Sequence, residues 1–312
     1  MMVVLQQAVI SEQSGKSIMA QYHLSHRAIL RLEGEGPVAF VHDILTADIA
    51  SLTPGQMRQS CLLSPQGRIL VEMVIYIPSQ SDAQECLYIA CDARQSDELM
   101  KKLKLYRLRR KITMTICEDI ALIASDAPLA VEESAIIVSA PDMRAPSAGY
   151  HTLLNQDAVA SLTLDDISAY HGARIANAIP EGPDELIPNR ALMLEAGLDL
   201  FEAVDFKKGC YIGQEVTART RYRGLVKRRL VPVIGTNISS GTAIMAAEKE
   251  VGTILTSAPW HVERHDEMIG LASIRLTAIH DALEGKTLAA DGTALQLAIP
   301  HHLTPLPKAE AK

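Results

Sequence analysis

The apolar pattern of the chain changes character at Gly224, and this change restricts the fold more than any other feature. Before Gly224, strand-like alternation is interleaved with stretches of helical period. After it come short apolar runs at 230–234, 241–245, 251–255, 269–276 and 295–299, separated by Gly, Asn and Ser. Runs of that length and spacing predict a small barrel or sandwich rather than a further helical layer. A chain of 312 residues is also too long for one ordinary core. The expected division is an N-terminal α+β unit over 1–120, a second over 121–225 and a β-barrel over 226–312, with the first two free to interleave.

Within the first unit, Leu24, Ala28, Leu30 and Leu32 fall at even spacing and predict a strand with one buried face. Pro37 can occupy a first helical turn. Val38, Val41, Leu45, Ile49 and Leu52 then recur every three to four residues, which predicts a helix running to Pro54-Gly55. Segments 61–63 and 69–77 flank Ser64-Pro65-Gln66-Gly67, a turn sequence, and so predict a hairpin. A strand at 86–91, a basic helix from about 97 to 109 and alternation at Ile112, Met114 and Ile116 complete the unit. The second unit has strand candidates at 121–125, 135–138 and 150–154. A helical stretch follows with Ile167, Tyr170, His171, Arg174 and Ile175, closed by Pro180.

Charge and composition exclude several function classes. A formal net charge of -7 repels nucleic acid and anionic lipid, and aromatic residues at 4% leave few stacking platforms for bases. The cysteines Cys61, Cys86, Cys91, Cys117 and Cys210 are odd in number and lack C-x-x-C spacing, so neither a disulfide framework nor a zinc site is expected. No apolar run approaches a membrane span, and a cytoplasmic protein is expected, or a mitochondrial-matrix one in a eukaryote. Met19 precedes a strand-like segment and is a candidate initiator, which would make residues 1–18 an extension.

The densest chemical signal is Lys207-Lys208-Gly209-Cys210-Tyr211-Ile212-Gly213-Gln214-Glu215. Two glycines allow close backbone approach around the thiol. A helix beginning near Ile212 would turn its positive end toward Cys210, and Lys207 and Lys208 precede it. Each of these favours a thiolate, so Cys210 is the reactive-cysteine candidate, with Lys208 as its catalytic companion.

K-G-C-Y-x-G-Q-E resembles the signature of the YgfZ-type folate-binding family, relatives of the glycine-cleavage T-protein that include a mitochondrial branch maturing iron–sulfur proteins. Val216-Thr217-Ala218-Arg219, the segment from Gly224 to Val231, Leu62-Leu63-Ser64-Pro65-Gln66-Gly67-Arg68-Ile69 and Leu105-Tyr106-Arg107-Leu108-Arg109-Arg110 look similar as well, so the likeness runs from about residue 24 to 276. It implies a T-protein-like α+β architecture, three domains in a ring, with two α/β (ferredoxin-like) units and a C-terminal small β-barrel. It further implies tetrahydrofolate, or another reduced folate, in the central hole.

Glu195 of Leu194-Glu195-Ala196-Gly197 would accept from the pterin N–H groups, and Arg228 stands where related enzymes place a folate-contacting Arg. Glu72, Tyr211, Gln214 and Glu215 are the remaining candidate folate contacts. The acidic pair on which T-proteins rely for aminomethyl transfer aligns with Val71-Glu72, so one carboxylate is missing. A positioned acid or base supplies about 10²- to 10⁴-fold. The resemblance therefore implies assembly or repair of iron–sulfur clusters through Cys210, with a scaffold or carrier protein as partner and this chain a monomer. A folate-dependent aminomethyltransferase or methyltransferase is the alternative, and an RNA-binding module using the basic helix a third.

Gly15-Lys16-Ser17 resembles the end of a Walker A loop, but Ile10 stands where its first Gly is required. The run Lys101, Lys102, Lys104, Arg107, Arg109, Arg110 and Lys111 reads first as a solvated helix face. His261, His265, His301 and His302 form no ligand spacing with the cysteines, so no resident metal is expected.

Overall fold

The computed structural model describes residues 20–79, 85–224, 226–260 and 267–307; Gly15-Lys16-Ser17, the N-terminal extension, Leu225, His261, His265, Lys308 and Lys312 lie outside them. Strand β1 (Gln21–His23) is followed by a turn and β2 (Arg27–Gly34), so the first alternating segment is two strands. They join different sheets. Helix α1 (Pro37–Ile44), the hairpin β3 (Met57–Leu63) and β4 (Ile69–Tyr76), β5 (Cys86–Asp92), helix α2 (Ser96–Arg107) and β6 (Ile112–Cys117) come next. A five-stranded sheet in the order β3-β4-β5-β2-β6 results, antiparallel throughout.

The second sheet has the order β1-β7-β9-β8, from β7 (Ile120–Ser125), β8 (Ile136–Pro141) and β9 (Tyr150–Asn155). Helix α3 (Ile167–Ala176) follows and already ends before Pro180. Helix α4 (Gln214–Tyr222) leads into a closed barrel in the order β10-β13-β12-β11-β14-β15. Its strands are β10 (Arg228–Thr236), β11 (Ala243–Ala246), β12 (Lys249–Pro259), β13 (Glu267–Arg275), β14 (Leu288–Ala290) and β15 (Thr293–Leu297). Helix α5 (Leu276–Leu283) and the short β14 add to the expected barrel strands.

The strand period decides the cores. Leu30 and Leu32 of β2 face α1 and α2 with Val41, Leu99 and Leu103, whereas Ile29 and Tyr88 face the second sheet with Leu122, Val138 and Leu153. The first sheet is thus buried on both faces, which explains why β4 reads as a continuous apolar run. Barrel residues such as Val231, Val233, Leu271 and Ile274 merge with Ile179, Leu198 and Tyr211, so the third core seals the barrel onto the connecting segment. Each fully buried aliphatic side chain contributes about 1.5 to 3 kcal/mol.

Helix α1 stops at Ile44, well short of Pro54-Gly55, although Leu45, Ile49 and Leu52 are buried as their spacing implied. Two contacts end it. Thr46 Oγ1 donates to the Ala203 carbonyl at 2.6 Å and accepts from the Cys61 N–H at 2.9 Å, which fixes Thr46 outside the helix. The carbonyls of His42, Leu45 and Ala47 turn toward a side chain from a distant segment, described next.

Candidate functional site

The segment 207–213 is a loop anchored at both ends. Asp205 Oδ1 accepts from the backbone N–H of Lys207 at 2.6 Å and of Lys208 at 3.3 Å, which opens the loop as an Asx turn. Gly213 closes it in the left-handed region, φ 82°. A Cβ at Gly213 would stand 2.6 Å from the Ser64 carbonyl oxygen, and one at Gly67 would stand 3.0 Å from the Val216 side chain. The Ser64-Pro65-Gln66-Gly67 turn therefore lies directly against the start of α4, glycine on glycine. Because Gly213 holds the N-cap, α4 begins at Gln214 and not near Ile212.

Between these anchors the side chains diverge. Lys208 and Tyr211 point inward; Cys210 is exposed. The Lys208 ammonium donates to the carbonyls of His42, of Leu45 at 2.7 Å and of Ala47 at 2.9 Å, and so caps the C-terminal end of α1. Burial draws its pKa down to about 8, with Asp48, Asp205 and Asp43 opposing. With its donors spent on carbonyls, Lys208 ties the loop to the end of α1.

Tyr211 is 7% exposed, with Lys208 Nζ 5.4 Å from its ring centre. Among the described residues its hydroxyl has no hydrogen-bond partner, and burial pushes its pKa up. Gln214 Nε2 donates back to the Gly209 carbonyl at 3.3 Å, and Glu215 is held by Arg219 at 2.8 Å on the exposed side of α4. The other cysteines are buried or half-buried, and burial raises the thiol pKa of each.

The remaining candidates divide between two places. Glu195 lies beside the seam where β10, whose first residue is Arg228, enters the barrel. The Leu230 N–H donates to the Glu195 carbonyl at 3.0 Å, Arg229 Nη1 donates to the Leu194 carbonyl, and Arg228 Nη1 donates to the Ser273 carbonyl at 3.2 Å. Among the described residues the half-buried Glu195 carboxylate has no hydrogen bond or ion pair. Glu72 lies elsewhere, 1% exposed, with Arg27 Nη1 at 2.9 Å and Gln59 Nε2 at 3.0 Å. Its oxygens are engaged within the protein by Arg27 and Gln59.

Glu72 belongs to a buried polar network that the sequence did not announce. Gln59 also donates to the Pro180 carbonyl at 3.0 Å. Arg174 holds Glu185 through two bonds, at 2.7 and 2.8 Å, and lies 3.5 Å from Glu181. Glu181 accepts from Tyr170 at 2.7 Å, and Thr256 of β12 donates to Glu185. Through Thr256 the network joins helix α3 to the barrel, and through Gln59 and Glu72 it reaches the first sheet. Arg174 and Arg27 hold the Glu181 carboxyl well below the usual range, and burial draws His171 down to about 4. The only signal in the sequence was Arg174 on the apolar side of a helical stretch.

Two antiparallel α/β units and a six-stranded barrel, with a cysteine loop packed on the first hairpin, define a protein of the aminomethyltransferase fold. The glycine cleavage system aminomethyltransferase T from Bartonella henselae superposes with a TM-score of 0.70 at 16% identity, covering 89% of this chain and 84% of that one. Residues 227–305 match the family "CAF17, C-terminal beta-barrel domain". The iron-sulfur cluster assembly factor IBA57 homolog, mitochondrial, of Mycosarcoma maydis is 30% identical over 287 residues, covering 86% of this chain and 68% of that protein. The Phaeosphaeria nodorum homolog is 34% identical over 223 residues, 67% of this chain. The chain spans 54% of that relative's length, about half.

The chain belongs to the IBA57 family of iron–sulfur cluster assembly factors. The relatives are named mitochondrial, in agreement with the matrix placement expected of a eukaryotic chain. No helix among the described residues is long and apolar enough to cross a membrane.

Proposed function

We propose that the chain serves iron–sulfur cluster assembly by presenting the Cys210 sulfur to a cluster carried by a scaffold or carrier protein. The observation that carries this reading is the exposure of Cys210 on a loop fixed by Lys208 and Gly213. Among the described residues no three His, Cys, Asp or Glu side chains gather as a metal site. A two-iron or four-iron cluster takes four ligands. Cys210 supplies one, and the others come from the partner. Cluster iron is here substrate and cargo.

A reduced folate fits the Glu195–Arg228 seam in donor chemistry: an unengaged carboxylate suits pterin N–H groups, and a guanidinium suits the glutamate tail. Bound there it would supply a one-carbon carrier. Aminomethyl transfer is the weaker reading, because Val71 replaces one acid and Arg27 engages the other. RNA binding is weaker still for a chain of net charge -7.

The test is the Cys210→Ala variant expressed in cells lacking the endogenous factor. It is expected to fold as the parent does while four-iron enzymes stay inactive; full restoration of those enzymes would remove the thiol from the proposal. Calorimetric titration with tetrahydrofolate, repeated on Glu195→Ala, examines the folate half separately. Equal heats from parent and variant would discard the seam.

A further inference from the structure

An open cleft of about 610 Å³ lies between the C-terminal ends of α1 and α2. Ile44 and Tyr106 form its apolar wall over the buried Phe40, whose ring centre lies 5.6 Å from the Arg110 guanidinium, with Leu108, Arg109 and Arg110 along the rim. Leu105 and Leu108 next to it are 68% and 83% exposed. Leu108 has φ 52° and ψ -115°, a conformation that a residue with a Cβ avoids. An aliphatic side chain held in water by strained backbone marks a functional position more often than a structural one.

The charges around the cleft are one-sided. Asp43 pairs with Arg110 at 2.6 Å, and Arg107 Nη1 donates to the Ile112 carbonyl at 2.7 Å while its buried Nε finds no acceptor among the described residues. Among the described residues Lys101, Lys104 and Arg109 have no acidic partner. A basic rim on a chain of net charge -7 gives a localised attraction for anionic groups, and the apolar wall adds a demand for a side chain to fill it. The cleft also adjoins the Cys210 loop. Asp43 and Ile44 line it, and the neighbouring carbonyls of His42 and Leu45 hold Lys208.

We propose that this cleft docks an acidic segment of the partner protein, with a leucine-like side chain seated against Ile44 and Tyr106 and a carboxylate paired with Arg109. This rests on the cluster-assembly reading and names the chemistry of the partner surface that brings a cluster to Cys210. Docking on one side of the α1 end and ligation on the other raise the local concentration of the thiol at the cluster.

The probe is a short fluorescein-labelled peptide with leucines at helical spacing among glutamates, followed by anisotropy on the full chain. The parent is expected to bind it, more weakly as salt rises, and to ignore the same peptide with lysine for glutamate. Leu108→Ser and Arg109→Glu should each weaken binding about tenfold. Leu108→Gly should weaken binding while raising the unfolding temperature, because glycine accepts the left-handed backbone. That pair of effects separates a docking leucine from a structural one. Equal binding by these variants, absence of peptide binding to the parent, or tighter binding of an RNA oligonucleotide overturns the proposal. Cys210→Ala should bind the peptide as the parent does, so loss of cluster assembly with docking intact isolates a failure of the cleft from a failure of the thiol.

Discussion

Around Arg174, guanidinium and carboxylate groups close on one another away from water and tie helix α3 to the barrel. Around Cys210, lysine, glutamine and glycine hold a loop so that one thiol faces out. Both regions spend polar groups on geometry. In the interior a charge must find its partner or the fold loses several kcal/mol, whereas on the loop the polar contacts fix a position and leave the reactive atom unengaged. In the interior Glu72 is surrounded by protein partners, Arg27 and Gln59.

The sharpest way to break the comparison is Arg174→Met. It removes the cation between Glu181 and Glu185 while keeping most of the volume, leaving carboxylates buried without a partner. The expected loss is about 3 to 5 kcal/mol in urea unfolding. A loss below about 1 kcal/mol would show that the interior charges are hydrated after all, like the loop's. A second variant, Glu185→Gln with Arg174→Met, should recover part of the loss if uncompensated charge is the cause.

How each region could be read from sequence follows from the range of its contacts. The hairpin turn and the K-G-C-Y-x-G-Q-E segment each have a local signature, and Gly67 and Gly213 proved to be the residues that let them touch. The barrel was legible because its strands are short and evenly punctuated, although α5 was absorbed into the run ending at Leu276. The end of α1 was not legible: the apolar stripe continued through Leu52, while the acceptors for Thr46 and Lys208 are fixed by residues far away in sequence. Lys208 was read beside the thiol because it is adjacent in sequence, and only the fold reveals its contacts with the carbonyls that end α1. Glu72 was assigned from alignment with an acidic pair, and only the fold reveals Arg27 at 2.9 Å.

An acid titration sharpens the interior half. His151 is 2% exposed, accepts or donates at 2.7 Å with Tyr76, and faces Asp142, Arg144, Glu181 and Arg27. Burial lowers its pKa from 6.5 to about 4, so it stays neutral in the fold while the unfolded chain takes up a proton. The stability this provides is present in full above pH 6.5 and is lost as pH falls toward 4, amounting to about 2 kcal/mol by pH 5. Urea midpoints at pH 7 and pH 5 measure it. His151→Gln should flatten that slope whatever it does to the absolute midpoint, and an unchanged slope would move the acid sensitivity to other groups, His171 first.

Lys208→Met is the smallest effect in stability and the most informative about the loop. Methionine keeps the apolar stem against Tyr211 and needs no desolvation of a charge, so the loss of three carbonyl contacts is partly offset and the net cost is about 1.5 kcal/mol. The consequence should be local. Backbone amides from Gly209 to Gln214 are expected to exchange hydrogen faster while those of β4 and β13 keep their protection, because the carbonyls of His42, Leu45 and Ala47 can turn to water without disturbing a core. If exchange rises throughout the first unit, Lys208 is a fold residue like Arg174 and the two regions are one. If only the loop loosens and cluster assembly falls with it, then fixing the place of the thiol is the task of Lys208, and an exposed cysteine on a mobile loop is insufficient.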